Sequence, residues 1–174
     1  MNKKMLVIPV FLLAFAFISI PVMGAPATKI EGVTIEVFTT GQPVPDDGYP
    51  RWVSDGTIVH SKGESSPGST VTLFIPGVGT YVDGDWHTDW IFNGNWKKGE
   101  FVIPSKNTMT FAEGTFEGVN QRRITGESPF SPTAYFEDRS VWKGVSGIFK
   151  GWTLKLSYEG TPSTITEGYI IIPK

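Results

Sequence analysis

Glycine and proline punctuate this chain so densely that, beyond residue 24, no stretch free of both is longer than the 11 residues from Thr133 to Lys143. Helices average about that length and need a continuous apolar stripe to be stable, so there is room for one short helix at most. Strands of about five or six residues fit easily. Their period-2 signature is present: Val33, Ile35 and Val37 alternate with Thr34 and Glu36, and Val71, Leu73 and Ile75 with Thr70 and Thr72. Near the C-terminus Ile148, Trp152, Leu154, Leu156 and Tyr158 share one phase, while Thr153, Lys155, Ser157 and Glu159 take the other. That is the pattern of a strand with one wet face.

These windows predict strands near 29–39, 51–54, 57–63, 69–75, 85–92, 95–103, 107–117, 119–125, 133–143, 148–158 and 164–172. Asp55-Gly56 and Asn93-Gly94 are dipeptides that accept positive φ at both central positions of a tight hairpin turn. Met109 and Phe111 lie in one phase and Phe116 in the other, so Gly114 between them is expected to mark a bulge. The segment 41–50, with three prolines and Asp46-Asp47-Gly48, reads as a loop. Eight to eleven short antiparallel strands must close on themselves or stack, because long open edges invite aggregation. The expected fold is therefore all-β: an antiparallel barrel of about eight strands, with a β-sandwich or jelly roll as the alternative.

At the N-terminus Lys3 and Lys4 precede a 16-residue apolar run, Met5 to Ile20, followed by the small residues Gly24, Ala25 and Ala27. The run is short of the roughly 20 residues that span a bilayer. A cationic head, an apolar stretch and small residues form the pattern of a secretory signal, and an uncleaved anchor is the alternative. Residues 1–24 are thus expected to be a signal peptide and 25–174 a single domain, secreted or otherwise outside the cytoplasm, with no stable membrane span once the signal is cut. The remaining 150 residues carry 13 basic and 17 acidic groups and no cysteine. That composition excludes a disulfide scaffold and a thiolate metal site, and a net negative charge argues against a nucleic-acid partner. A homo-oligomer is compatible with it.

The stretch Gly144-Val145-Ser146-Gly147-Ile148-Phe149-Lys150-Gly151 resembles the glycine-rich strand start of the allene oxide cyclase and dirigent-like β-barrels, and Gly114-Thr115-Phe116-Glu117-Gly118 echoes it. The resemblance implies an eight-stranded barrel, comparable in architecture to a lipocalin, with an apolar cavity in which enzyme members cyclise or couple hydrophobic substrates. It carries over no catalytic residue. Fold and activity are separable in any case.

The chain has six tryptophans, three of them (Trp86, Trp90 and Trp96) within 11 residues. On a strand, Trp86, Thr88, Trp90 and Phe92 share a face. Turned inward such a row lines a core or cavity, and turned outward it forms a platform for sugars or an apolar partner. The opposite face carries Asp83, Asp85, His87 and Asp89, of which Asp85, His87 and Asp89 form a weak oxygen and nitrogen donor set for a divalent cation. A solvated strand face is the simpler reading, and no metal or other cofactor is expected. No Gly-x-Ser-x-Gly elbow occurs. The expected function is burial of a small, mainly apolar ligand in a cavity lined by Trp86, Trp90, Trp142, Trp152 and Tyr158, with Arg122 or Arg139 as polar anchor for a ligand carboxylate. Two further readings stand beside it: an isomerase or cyclase in the same barrel, and a module that stacks surface tryptophans on carbohydrate or a cell-envelope partner.

Overall fold

The computed structural model describes residues 26–40 and 42–174, so the expected signal segment, 1–24, lies outside the described residues. Eleven strands follow in chain order: β1 (Thr28–Phe38), β2 (Val44–Pro45), β3 (Arg51–Val53), β4 (Ile58–Glu64), β5 (Thr70–Ile75), β6 (Gly79–Asn95), β7 (Glu100–Phe111), β8 (Gly114–Thr125), β9 (Tyr135–Gly144), β10 (Thr153–Gly160) and β11 (Ile165–Ile172). The only helical element among the described residues is one 3₁₀ turn, Gly147–Phe149.

Eight of the strands close an antiparallel barrel in the order β6, β5, β1, β11, β10, β9, β8, β7 and back to β6. The 17-residue β6 is the seam. Its first half pairs with β5 and its second half with β4, while its other edge follows β7. The three outer strands, β4 with β2 and β3 on its far edge, therefore extend the wall on one side.

Alternation decides what lies inside. Val33 and Ile35 on β1, Val71, Leu73 and Ile75 on β5, Met109 and Phe111 on β7, and Leu154 and Leu156 on β10 are buried. With Phe116, Trp142, Phe149 and Ile170 they form one core cluster. Phe149 is fully buried and meets Phe111, Phe116, Tyr81 and Trp152 ring to ring, at centroid distances of 5.9, 4.7, 4.9 and 5.4 Å. This aromatic plug closes one end of the barrel. A smaller cluster of Phe101, Ile124 and Ala134, packed on by Phe92, Trp96, Ile103 and Phe136, sits toward the other end. Trp52 stacks on Trp96 there, with centroids 6.3 Å apart, and Phe130 projects from the rim at 86% exposure.

Several local expectations change. Asn93-Gly94 is not a turn: β6 runs straight through it, pairing with β4 on one side and β7 on the other, and the chain reverses only at 96–99. A ladder on both edges outweighs the intrinsic turn preference of the dipeptide. Gly114 is not a bulge. It begins β8 immediately after the tight turn at Ala112 and Glu113, and that turn flips the phase between Phe111 and Phe116. Register shifts lie instead at Asp83, where φ is +54, in the β5–β6 ladder, and at Gly32, where φ is +72, in the β1–β11 ladder. Asp55-Gly56 does form the hairpin turn between β3 and β4, with φ of +56 and +79.

The glycine-rich segment 144–151 is also a correction, since the expected strand 148–158 begins only at Thr153. The segment folds into the 3₁₀ turn instead and delivers Phe149 into the plug, leaving Ile148 exposed. Gly147 has φ of +60, and a Cβ there would come within 1.8 Å of the Glu113 carbonyl oxygen. Only glycine fits a left-handed position packed this closely on a neighbouring backbone.

Candidate functional site

Between the two clusters the barrel holds a cavity of about 730 Å³ that opens toward the Trp52 and Phe130 rim. Its walls come from the inward phases of neighbouring strands: Trp86, Thr88, Trp90 and Phe92 of β6; Ser105 and Asn107 of β7; Asn120 and Arg122 of β8; Asp138, Ser140 and Trp142 of β9. The tryptophan row of β6 therefore faces inward. Trp86, Trp90 and Trp96 are each partly buried, and they form no flat outward platform of the kind carbohydrate stacking needs.

Each indole is held by a specific neighbour. Trp142 lies against Trp86 with centroids 5.5 Å apart, and its Nε1 donates to Ser140 Oγ at 2.9 Å. Gly118 faces Trp142 directly across the β8–β9 ladder, and a Cβ at that position would come within 2.4 Å of the indole. The missing side chain is thus what lets the ring lie flat against the wall. Trp90 Nε1 donates to the Glu64 carbonyl at 2.9 Å, which ties the cavity wall to the outer strand β4.

The two charged residues and both asparagines of the wall stand on β7, β8 and β9. Arg122 and Asp138 are direct ladder partners, and Arg122 donates from Nε and Nη2 to the same carboxylate oxygen, Oδ2, at 2.8 and 2.5 Å. The Asp138 side chain is 6% exposed and that of Arg122 39%. A carboxylate this deep is tolerated because its charge is matched at hydrogen-bonding distance. Arg122 also lies over the Phe136 ring, 5.5 Å from its centroid. Ser105 Oγ donates to Asn107 Oδ1 at 3.2 Å. Asp138 Oδ1, Asn107 Nδ2, Asn120 Oδ1 and Thr88 Oγ1 are buried without a hydrogen-bond partner among the described residues. Unmet buried polar groups are uncommon in folded proteins and each needs an account.

Of the residues expected in the lining, Trp86, Trp90, Trp142 and Arg122 stand around this one cavity. The other three do not. Trp152 packs against Phe149 in the plug at the closed end. The Tyr158 hydroxyl donates to the Thr161 carbonyl just beyond its own strand. Arg139 points away from the interior, because the inward phase of β9 is Phe136, Asp138, Ser140 and Trp142. Its side chain is 79% exposed, with Nη2 3.9 Å from Glu159 diagonally across the β9–β10 ladder. The residues that sequence reasoning passed over are Asn107, Asn120 and Asp138. The signal for the last two lay in the phase: Phe116 and Ile124 set even positions of β8 inward, which turns Asn120 to the interior while Val119 faces out, and Trp142 sets the phase of β9 that turns Asp138 inward.

Asp85, His87 and Asp89 line the outer face of β6, and His87 Nε2 lies 3.2 Å from Asp89 Oδ1. The third donor to join His87 and Asp89 is not Asp85 but Glu64, the ladder partner of Asp89. Donor atoms of Glu64, His87 and Asp89 lie within 4.8 Å of one another at the surface. These three residues could hold a divalent cation only loosely, in open solvent. Tyr81, in the plug, has its hydroxyl pKa raised from 10.0, chiefly by burial and secondarily by the nearby charge of Glu113. Comparison of the chain with protein-family models, curated proteins and solved structures finds no match.

Proposed function

We propose that this is an exported binding protein that buries a small, mainly apolar ligand inside its barrel. The observation that carries the reading is the 730 Å³ cavity, walled by Trp86, Trp90 and Trp142, with the Phe149 plug packed beyond it at one end of the barrel. Cavities of this size suit small molecules, and each Å² of apolar ligand surface removed from water stabilises the complex by about 25 cal/mol. A few polar groups on β7 to β9 would orient what the tryptophans hold. Native mass spectrometry of the secreted protein checks this. A co-purified mass of a few hundred daltons is expected, and its occupancy should fall when Ser140→Trp takes up part of the cavity. A folded Ser140→Trp protein that retains the mass at full occupancy would sink the reading.

One observation favours a second reading, the isomerase or cyclase implied by the resemblance of residues 144–151. Asp138 is a buried carboxylate beside the cavity, placed where it could exchange a proton with a bound substrate. Under this reading Asp138→Asn abolishes turnover of the co-purified compound while leaving its binding detectable. Recovery of the compound unchanged after prolonged incubation with the wild-type protein would argue for binding alone.

A further inference from the structure

We infer that the cavity selects a neutral ligand that donates hydrogen bonds, an alcohol or amide carried on an apolar frame, and discriminates against carboxylates. The inference deepens the cavity-binding reading and rests on it. Sequence alone suggested the reverse, an arginine waiting for a ligand carboxylate, but Arg122 is already engaged. Both Nε and Nη2 donate to Asp138 Oδ2. Among the described residues no other Asp, Glu, Lys, Arg or His lines the cavity, so the pair leaves it close to electroneutral.

An entering carboxylate would therefore sit beside the Asp138 charge with no free cation to match it. An ammonium would leave the opposite charge uncompensated beside Arg122. Taking either ion out of water without a partner is costly. A neutral head group avoids that cost and meets what the wall lacks. Asp138 Oδ1 and Asn120 Oδ1 are buried acceptors without donors, Asn107 Nδ2 and Trp96 Nε1 are buried donors without acceptors, and the Thr88 and Ser66 hydroxyls are buried and unpartnered, so a head group that both donates and accepts suits the wall. A carboxylate oxygen can only accept, so Asp138 Oδ1 requires that its partner bring a hydrogen. Asn107, Asn120 and Asp138 stand on adjacent strands β7, β8 and β9, whereas β1 contributes Ile35 and Val37 and β6 its aromatic row with Thr88 within it. The head group is thereby placed against one wall and the apolar frame against the others.

Isothermal titration of the secreted protein at pH 7 with 2-naphthol, 2-naphthoate, 2-naphthylmethylammonium and 2-methylnaphthalene tests this. Naphthol is expected to bind at least tenfold more tightly than each of the other three. Asp138→Asn, which frees Arg122, should then improve naphthoate relative to naphthol by tenfold or more. Should naphthoate or the ammonium match naphthol on the wild-type protein, the selectivity is wrong. Equal binding of methylnaphthalene and naphthol would also overturn it, by showing the polar wall idle, yet would leave the cavity reading intact. Failure of all four to bind would overturn the cavity reading itself. The wild-type ranking decides the matter even if Asp138→Asn does not fold.

Discussion

Gly118 and Trp142 occupy directly opposed positions on β8 and β9, and the indole lies over the glycine where any side chain would collide with it. The contact couples a position that looks like a weakness in a strand to the largest fully buried side chain of the barrel.

Gly118→Ala should therefore destabilise the fold although alanine suits a strand no worse than glycine does. A Cβ at 2.4 Å from the ring forces Trp142 toward Trp86 and into the cavity. Overpacking of this kind costs about 1–3 kcal/mol. Urea denaturation followed by tryptophan fluorescence measures it, and a midpoint unchanged from wild type would contradict the assigned contact.

Phe149→Ala should be more severe. The ring is fully buried and touches four other aromatic rings in the plug. Truncating a buried phenylalanine costs about 3–5 kcal/mol, through lost burial and the void that remains. Truncation of the adjacent Ile148, which is exposed, should stay within about 0.5 kcal/mol. Parallel chemical denaturation of the two variants checks the contrast.

Arg122 and Arg139 should behave differently, although each pairs with a carboxylate on the neighbouring strand. Arg122 donates twice to the buried Asp138, so a double-mutant cycle with Arg122→Met and Asp138→Asn is expected to give a coupling of about 1–3 kcal/mol. The Arg139 to Glu159 pair is exposed on both sides and 3.9 Å apart, and its cycle should give less than about 0.5 kcal/mol.

Tyr81 makes the fold sensitive to alkali. Its folded-state pKa is raised above the ordinary 10.0, chiefly by burial against the plug, so the folded state holds the phenolic proton more tightly than the unfolded state does. The corresponding stability is fully present below pH 10 and declines as the pH rises from there through the raised value. Tyr81→Phe should flatten that decline. Melting temperatures of both proteins between pH 8 and pH 11 provide the measurement, with equal slopes counting against the assignment.

Much of the fold was legible in the chain because the relevant signals are local. Gly and Pro spacing left no room for long helices, and period-2 alternation set the inward faces of β1, β5 and β10, whose Val33, Val71 and Leu154 are fully buried. The same rule contained information that the expected lining overlooked. Arg139 and Trp142 are three residues apart on one strand and so belong to opposite faces. With Trp142 inside, Arg139 had to be outside. Local preference failed where pairing on two edges outweighed it, as at Asn93-Gly94, and where a glycine-rich run served close packing, as at 144–151.

By itself, then, the sequence determined an all-β, turn-dense chain with aromatic faces, because side-chain alternation and backbone freedom are properties of neighbouring residues. The tertiary structure alone decided that β6 and β7 close the barrel, that Trp86 and Trp142 meet across its interior, and that Arg122 is neutralised by Asp138, 16 positions away. Those relations depend on the register of strands distant in sequence, and each is selected by how well the entire set of inward side chains packs once the sheet has closed.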